Sequence, residues 1–423
     1  MFQQPSNAAY QVQVCNPQKQ NDTGRSYVAY TLRVRKIKDG VESSTFRRFS
    51  DFLWIHDTLV NKYPSCVVPP MPEKSLSLYH LFFSSQITKH SSFCHLLVGS
   101  SCMPDTHTTA GNFEPALMMF RSRELTRFVQ RVAAHPTLSA DDDFEFFLMA
   151  PWDDFTAKRS ASPVKESVVG SMFSSLMNAF GGKVEDTDDW FIKITAELGE
   201  RKTLLQGLQE SAAGIVSGWR ELTQLYNVQS QQLQALSKFF GDAEASRCGE
   251  DAHAMEANVA VLDEFATHVE HSYLDNISDY IREITAIETV LARRLELLKE
   301  YKSLSKTAEK KGAEALAKRD EALSKFDAFS ATAREDIQRV LQTRRGELER
   351  IVLGVAQMHR DAFTRTGSDW TSAINSSGAS SDASATTTTT TTTASLGNAE
   401  SAGPFSSAVF DGVPSSPYAT GDD

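Results

Sequence analysis

Between residues 188 and 362 apolar side chains return at intervals of three, four or seven, and a beat held for that length restricts the fold more tightly than anything else in the chain. The first run sets Ile194, Leu198, Leu205, Leu208, Ile215, Trp219, Leu222, Tyr226, Leu233 and Leu236 on one helical face before Gly241-Asp242 and Gly249 interrupt it. A second run leads from Val259 to Leu298 and a third from Leu323 to Ala362. Three long helices are expected. At about 1.5 Å per residue, helices of about 50 to 60 residues extend about 75 to 90 Å, beyond the size of a compact domain. Such rods cannot bury their stripes alone. A three-helix antiparallel bundle leaves enough apolar face to pair with a second copy, with Trp190, Phe191, Trp219 and Tyr226 as anchors. Periodicity by itself also fits a plain coiled-coil spacer.

A chain of 423 residues is too long for one ordinary core and implies two or three units. A formal charge of -11 argues against a general nucleic-acid binder, although a local basic patch still acts over a Debye length of roughly 8 Å. The five cysteines, Cys15, Cys66, Cys94, Cys102 and Cys248, are odd in number and scattered, and Met1 to Pro5 has no charged-then-apolar pattern. Reduced thiols in the cytosol are the simpler expectation. No apolar run approaches the roughly 20 residues that span a bilayer, so any membrane contact is expected to be peripheral.

Upstream of the rods the pattern changes period. Tyr10, Val12 and Val14 alternate on one face, Asn21-Asp22-Thr23-Gly24 breaks the strand, and Tyr30, Leu32 and Val34 alternate again. Lys38-Asp39-Gly40 is a hairpin turn into a third strand that ends at Arg48. Ser50 or Asp51 is expected to cap a helix through Tyr63, with Phe52, Ile55 and Leu59 at helical spacing, and helices resume over residues 115–134 and 140–150. Three antiparallel strands packed on helices make an α+β unit.

The strand-to-helix junction reads Phe46-Arg47-Arg48-Phe49-Ser50-Asp51-Phe52. Guanidinium forks fit phosphate oxygens two at a time, and a neighbouring ring covers the apolar face of a sugar or inositol. Downstream follow Pro69-Pro70-Met71-Pro72-Glu73-Lys74, then Phe120-Arg121-Ser122-Arg123-Glu124-Leu125, then His135-Pro136-Thr137. In that order and spacing the stretch closely resembles the PX domain of sorting nexins over most of residues 10–150. The resemblance implies that Arg48 takes the 3-phosphate of phosphatidylinositol 3-phosphate and that Phe49, in place of the commoner Tyr, stacks on the inositol ring. It implies that Lys74 lies near the 1-phosphate and that Arg121 holds the ring hydroxyls. Arg47 and Arg123 are secondary candidates. The alternative is a set of unrelated solvated cations.

Between Lys74 and Arg121 the chain is longer than typical sorting nexins by roughly 20 residues. This insertion, residues 75–113, holds Leu78 to Phe83 and His95 to Val98, which either dip into a bilayer or pack on the domain. It also gathers His80, His90, Cys94, His95, Cys102 and His107, but without the paired spacing that zinc requires, so no metal site is expected.

A linker is expected over residues 151–184, with an amphipathic helix at about 165–180. Val168, Val169, Met172, Phe173, Leu176, Met177 and Phe180 share one face opposite serines, with almost no charge, and Gly181-Gly182 closes it. That composition suits insertion among loosely packed headgroups, a placement that nexins of this type share; packing on the protein is the alternative. Three rods after a PX domain then look like the BAR module of sorting nexins, residues 185–370, an all-α antiparallel coiled-coil dimer. Lys302, Lys306, Lys310, Lys311, Lys318 and Arg319 cluster at the turn between the second and third rods, where cations meet anionic headgroups. Glu300, Glu309, Glu314 and Asp320 intervene, so a solvated helical face is the competing account. Residues 1–9 are expected to be flexible and residues 371–423, with threonines from Thr386 to Thr393, to be a disordered tail open to phosphorylation.

No motif of a nucleotide-binding, hydrolase or metalloprotease site occurs, and no enzyme activity or cofactor is expected. The resemblance implies a peripheral protein on the cytosolic face of endosomes that senses or induces curvature in tubulation and retrograde transport, as a homodimer or a heterodimer with another PX-BAR nexin, and with retromer as a partner. The alternatives are a coiled-coil scaffold addressed to endosomes by its PX domain without remodelling membrane, and a PX site that binds protein.

Overall fold

The computed structural model describes residues 8–22, 25–72, 113, 115–161, 186–311 and 313–376. Strands β1 (Tyr10–Asp22), β2 (Arg25–Lys36) and β3 (Glu42–Arg48) form an antiparallel meander in the order β1-β2-β3. The register sets Val12 opposite Val34 and Val14 opposite Leu32, which puts the alternating apolar residues of both strands on one buried face. A bulge after Cys15 leaves Asn16 at φ 47°, in the left-handed region that asparagine tolerates.

Helix α1 (Phe49–Lys62) starts with no intervening loop, so the cap falls at Arg48 rather than at Ser50 or Asp51. Asp51 becomes the third helical residue, and its carboxylate accepts the Arg48 backbone N–H at 2.6 Å. Helix α2 (Pro115–Ala134) lies along β1 and blunts that edge: Ser122 Oγ donates to the Val14 carbonyl at 2.8 Å, and the Val14 N–H donates to Thr126 Oγ1 at 3.0 Å. A 3-10 turn at Leu138–Ala140 leads into α3 (Asp142–Met149), where Asp141 accepts from the N–H groups of Asp143 and Phe144 as the N-cap.

Within the stretch expected as a linker, Trp152–Ala161 is a further helix, α4. Its Phe155 is fully buried, 5.5 Å from Trp54 and 5.8 Å from Phe147 between ring centroids. Burying such a ring contributes about 1.5–3 kcal/mol, so α4 belongs to the first core, with Tyr30, Phe52, Ile55, Phe128 and Phe147.

The rods are α5 (Asp189–Ser237), α6 (Asp242–Val269), α7 (Asp275–Lys311) and α8 (Ala313–Ser376). A π turn at Glu270–Leu274 joins α6 to α7, so these two are one rod and the count of three holds. Gly249, read as an interruption, lies inside α6; a glycine on an exposed helix face costs only about 1 kcal/mol against alanine. One apolar seam joins Phe191, Ile194, Leu198, Ile277, Ile284 and Ile337, and another joins Val216, Phe265, Ala266 and Ala362 around Trp219. Exposed large apolar residues of the rods include Leu204, Leu208, Leu225 and Leu236 on α5 and Leu316, Val352, Leu353, Phe363 and Ile374 on α8, with none on α6 or α7 among the described residues. Tyr226 meets Trp370 at 6.3 Å and Trp219 meets Phe363 at 5.7 Å, so the two stripes adjoin. No described helix is long and apolar enough to cross a membrane.

Candidate phosphate-binding site

Strand parity separates the two arginines of the junction. Arg47 pairs with Tyr30 and Arg48 with Ala29, so their side chains leave opposite faces of the sheet. Arg47 enters the core at 0% exposure. Its guanidinium donates to the carbonyls of Phe147 at 2.9 Å, Ala150 at 2.7 Å and Phe46 at 2.7 Å, and to Thr45 Oγ1 at 2.9 Å, with the Phe155 ring 4.3 Å away. Burial lowers its pKa to about 10. Those donors are committed to the fold, and Arg47 is not a ligand group.

Arg48 takes the other face. Its guanidinium carbon lies 3.5 Å from the Tyr27 ring centroid and 4.9 Å from that of Trp152. Both rings lie within cation–π distance of the guanidinium, and such contacts help to orient the arginine. Tyr27 is a diagonal neighbour of Arg48 across β2 and β3, visible once the register is known; Trp152 comes from α4, beyond the boundary drawn from sequence. Neither had been singled out.

Phe49, half-buried at the start of α1, packs on the core, and its ring centroid lies 4.9 Å from the Arg121 guanidinium. Arg121 projects from α2 at 5% exposure beside the buried Tyr30 hydroxyl. Burial raises the Tyr30 pKa, and the charge and hydrogen bond of Arg121 oppose that shift. The junction is pinned from below by Asp51, fully buried, whose carboxylate also receives Arg159, while Arg159 Nη1 donates to Ser50 Oγ at 3.2 Å. Burial raises the Asp51 pKa against the pull of the Arg48 amide and the Arg159 charge.

The expected residues thus divide. Phe49 and Arg121 meet, and Arg48 precedes Phe49 in the chain, whereas Arg123 turns to Asp275 of the rod at 3.0 Å. Lys74, residues 75–112 of the insertion, and Val168, Val169, Met172, Phe173, Leu176, Met177 and Phe180 of the expected amphipathic stretch lie outside the described residues, as do the side chains of Lys310 and Lys311. Of the remaining rod cations, Lys318 pairs with Glu314 at 2.9 Å and Arg319 with Asp320 at 2.6 Å, exposed contacts worth under about 1 kcal/mol that leave both charges available to headgroups; Lys302 is half-buried and Lys306 exposed.

Cys66, His135 and Asp336 bring a buried thiol, imidazole and carboxylate within 4.8 Å. His135 Nδ1 accepts the N–H groups of Thr137 and Leu138, both at 3.1 Å, so the ring proton sits on Nε2, which faces Asp336 Oδ1 at 3.0 Å. That nitrogen has no lone pair for a metal, and burial pushes the Cys66 thiol up to about 11. The cluster is a buried polar contact between the residue that follows α2 and α8.

Residues 35–151 match the PX domain family, and residues 165–350 match the family described as Vps5 C terminal like. Sorting nexin 1 of Arabidopsis thaliana is 25% identical over 321 residues, covering 73% of this chain and 72% of its own. Sorting nexin-4 of Eremothecium gossypii is 23% identical over 312 residues, covering 69% of this chain and 68% of its own. This chain belongs to the sorting nexins of the PX-BAR type. Among solved structures, the SNX-BAR Mvp1 tetramer is 13% identical and covers 87% of this nexin and 96% of its own chain, at a TM-score of 0.44. An α+β PX unit followed by a helical BAR region is the family's arrangement. PX-BAR nexins bind phosphoinositide membranes, form dimers or tetramers, and remodel membranes in endosomal trafficking.

Proposed function

We propose that this nexin selects phosphatidylinositol 3-phosphate through the β3–α1 junction and that a dimeric rod senses or induces curvature, in endosomal tubule formation and retrograde transport with retromer as a partner. Arg48 takes the 3-phosphate, Phe49 lies against the inositol ring, Arg121 holds ring hydroxyls and Lys74 serves the 1-phosphate. The carrying observation is the placement of the Arg48 guanidinium over the Tyr27 and Trp152 rings at the β3–α1 junction, with Phe49 next in the chain and its ring 4.9 Å from the Arg121 guanidinium. The adjoining apolar residues exposed on α5 and α8 support pairing of two rods, because contiguous exposed apolar side chains mark interaction surfaces.

On this reading the PX unit runs to the end of α4 and the rod from α5 to α8. The apolar face at residues 168–180 and the cations Lys302, Lys306, Lys310, Lys311, Lys318 and Arg319 add membrane contacts to the headgroup site. Contacts too weak singly become tight when a dimer makes them together.

The test is binding of a panel of phosphoinositide headgroups to the whole chain and to Arg48→Ala. Two charge-assisted hydrogen bonds, each about 1.5–3 kcal/mol, predict a loss of about 100-fold or more for the 3-phosphate ligand. Equal binding of all isomers, or full affinity in Arg48→Ala, would overturn the assignment.

A further inference from the structure

Helix α2 carries two sets of cations with different fates. Arg121 faces the headgroup junction, while Arg123 and Arg131 cross to the rod: Arg123 to Asp275 at 3.0 Å, Arg131 to Asp279 at 2.5 Å and Glu347 at 3.4 Å. The rod answers with its own cation, Arg282, which reaches Glu124 of α2. Behind this contact Arg344 ties Asp279 at 2.8 Å to Glu347 at 2.8 Å and to Glu283, so each carboxylate at the joint meets a guanidinium. Asp275, Asp279, Glu124 and Arg344 are all buried. A second joint lies at the far end of α2. There Asp336 of α8 faces His135, accepts the Val67 N–H at 2.7 Å and holds Val67 in the rod's own apolar seam.

Buried ion pairs are a poor source of affinity, since desolvation offsets most of the attraction; what they add over apolar packing is direction. An apolar contact tolerates sliding, whereas two crossing arginines with fixed carboxylate partners admit one angle. We propose that the α2–rod network is a positioning device: it fixes the orientation of the headgroup pocket relative to the rod, so that a lipid-loaded PX unit and the rod face engage the same curved surface. Arg123, Arg131 and Arg282 are its positioning residues. They touch no lipid, and they set curvature selectivity rather than headgroup affinity. This rests on the proposed headgroup reading.

The experiment compares the whole chain with the double variant Arg123→Ala, Arg131→Ala, in which Asp279 keeps Arg344, and separately with Arg282→Ala, in which Glu124 keeps Arg127. Three readouts are taken: affinity for the soluble inositol 1,3-bisphosphate headgroup, binding to large vesicles bearing phosphatidylinositol 3-phosphate, and the ratio of binding to small over large vesicles. Both variants are expected to keep headgroup affinity within about twofold, which also certifies the PX fold, and to lose most of the small-vesicle preference, because a loosely hinged pair of sites gains less from simultaneous engagement. Retention of the preference in both variants would overturn the proposal, as would a parallel loss of headgroup affinity, which would make the network part of the pocket. If the unaltered chain binds the headgroup but ignores vesicle size, the positioning role falls and the lipid reading stands. If it binds no headgroup, the lipid reading falls first.

Discussion

Adjacent arginines with identical chemistry meet opposite surroundings here, and the difference is one step of strand parity. Arg47 satisfies three carbonyls and a hydroxyl inside the core, so Arg47→Ala orphans those acceptors and opens a cavity, with an expected loss of about 3–5 kcal/mol in unfolding free energy measured by denaturant titration. Arg48→Ala is expected to change that stability by less than about 1 kcal/mol while removing headgroup binding. A reversed pattern would exchange the two roles. The proposed roles of Arg48, Phe49 and Arg121 rest on a motif that is local or sits at a fixed distance from a helical leucine. The fate of Arg47 needed the pairing of β3 with β2, and Trp152 needed a helix that composition had assigned to a linker. Arg123 was misplaced for a related reason: its partner, Asp275, is 152 residues away in the chain.

Among the elements, the rods were the most legible part of the molecule, since a stripe repeated over dozens of residues outweighs single breakers such as Gly249. The π turn at Glu270–Leu274 was not legible, because it depends on a single shift in backbone hydrogen bonding that leaves the apolar beat intact. The α5 and α8 stripes make a prediction at this scale. Leu225→Glu, on the exposed face of α5, is expected to convert a dimer into a folded monomer with unchanged helix content, read by light scattering and circular dichroism. A variant that stays dimeric would place the pairing face elsewhere. The joint between α2 and the rod predicts a pH dependence. Burial pushes the Asp279 carboxyl up, but Arg131, Arg344, Arg127 and Arg282 outweigh burial and hold it well below the usual range. A depressed folded pKa gives stability that is complete above the unfolded value near about 4 and is lost as pH falls through the folded one. Calorimetry is therefore expected to show the PX unit and rod melting together with no loss of this contribution between about pH 7 and pH 5, and uncoupling only in stronger acid. Separate transitions already at pH 5 would contradict it.

On the proposed reading, helix α2 serves both the headgroup site and the rod, an arrangement invisible to periodicity or motif spacing because its ion pairs to the rod link residues far apart in sequence. Coincidence is central to that reading: lipid identity and membrane shape are read together. The most direct measurement is cosedimentation of the full chain with vesicles of two diameters, with and without phosphatidylinositol 3-phosphate, beside Arg48→Glu. Binding that requires the lipid, is stronger on the smaller vesicles and vanishes in Arg48→Glu is the predicted result. Binding that proceeds equally without the lipid, or survives Arg48→Glu, would contradict it.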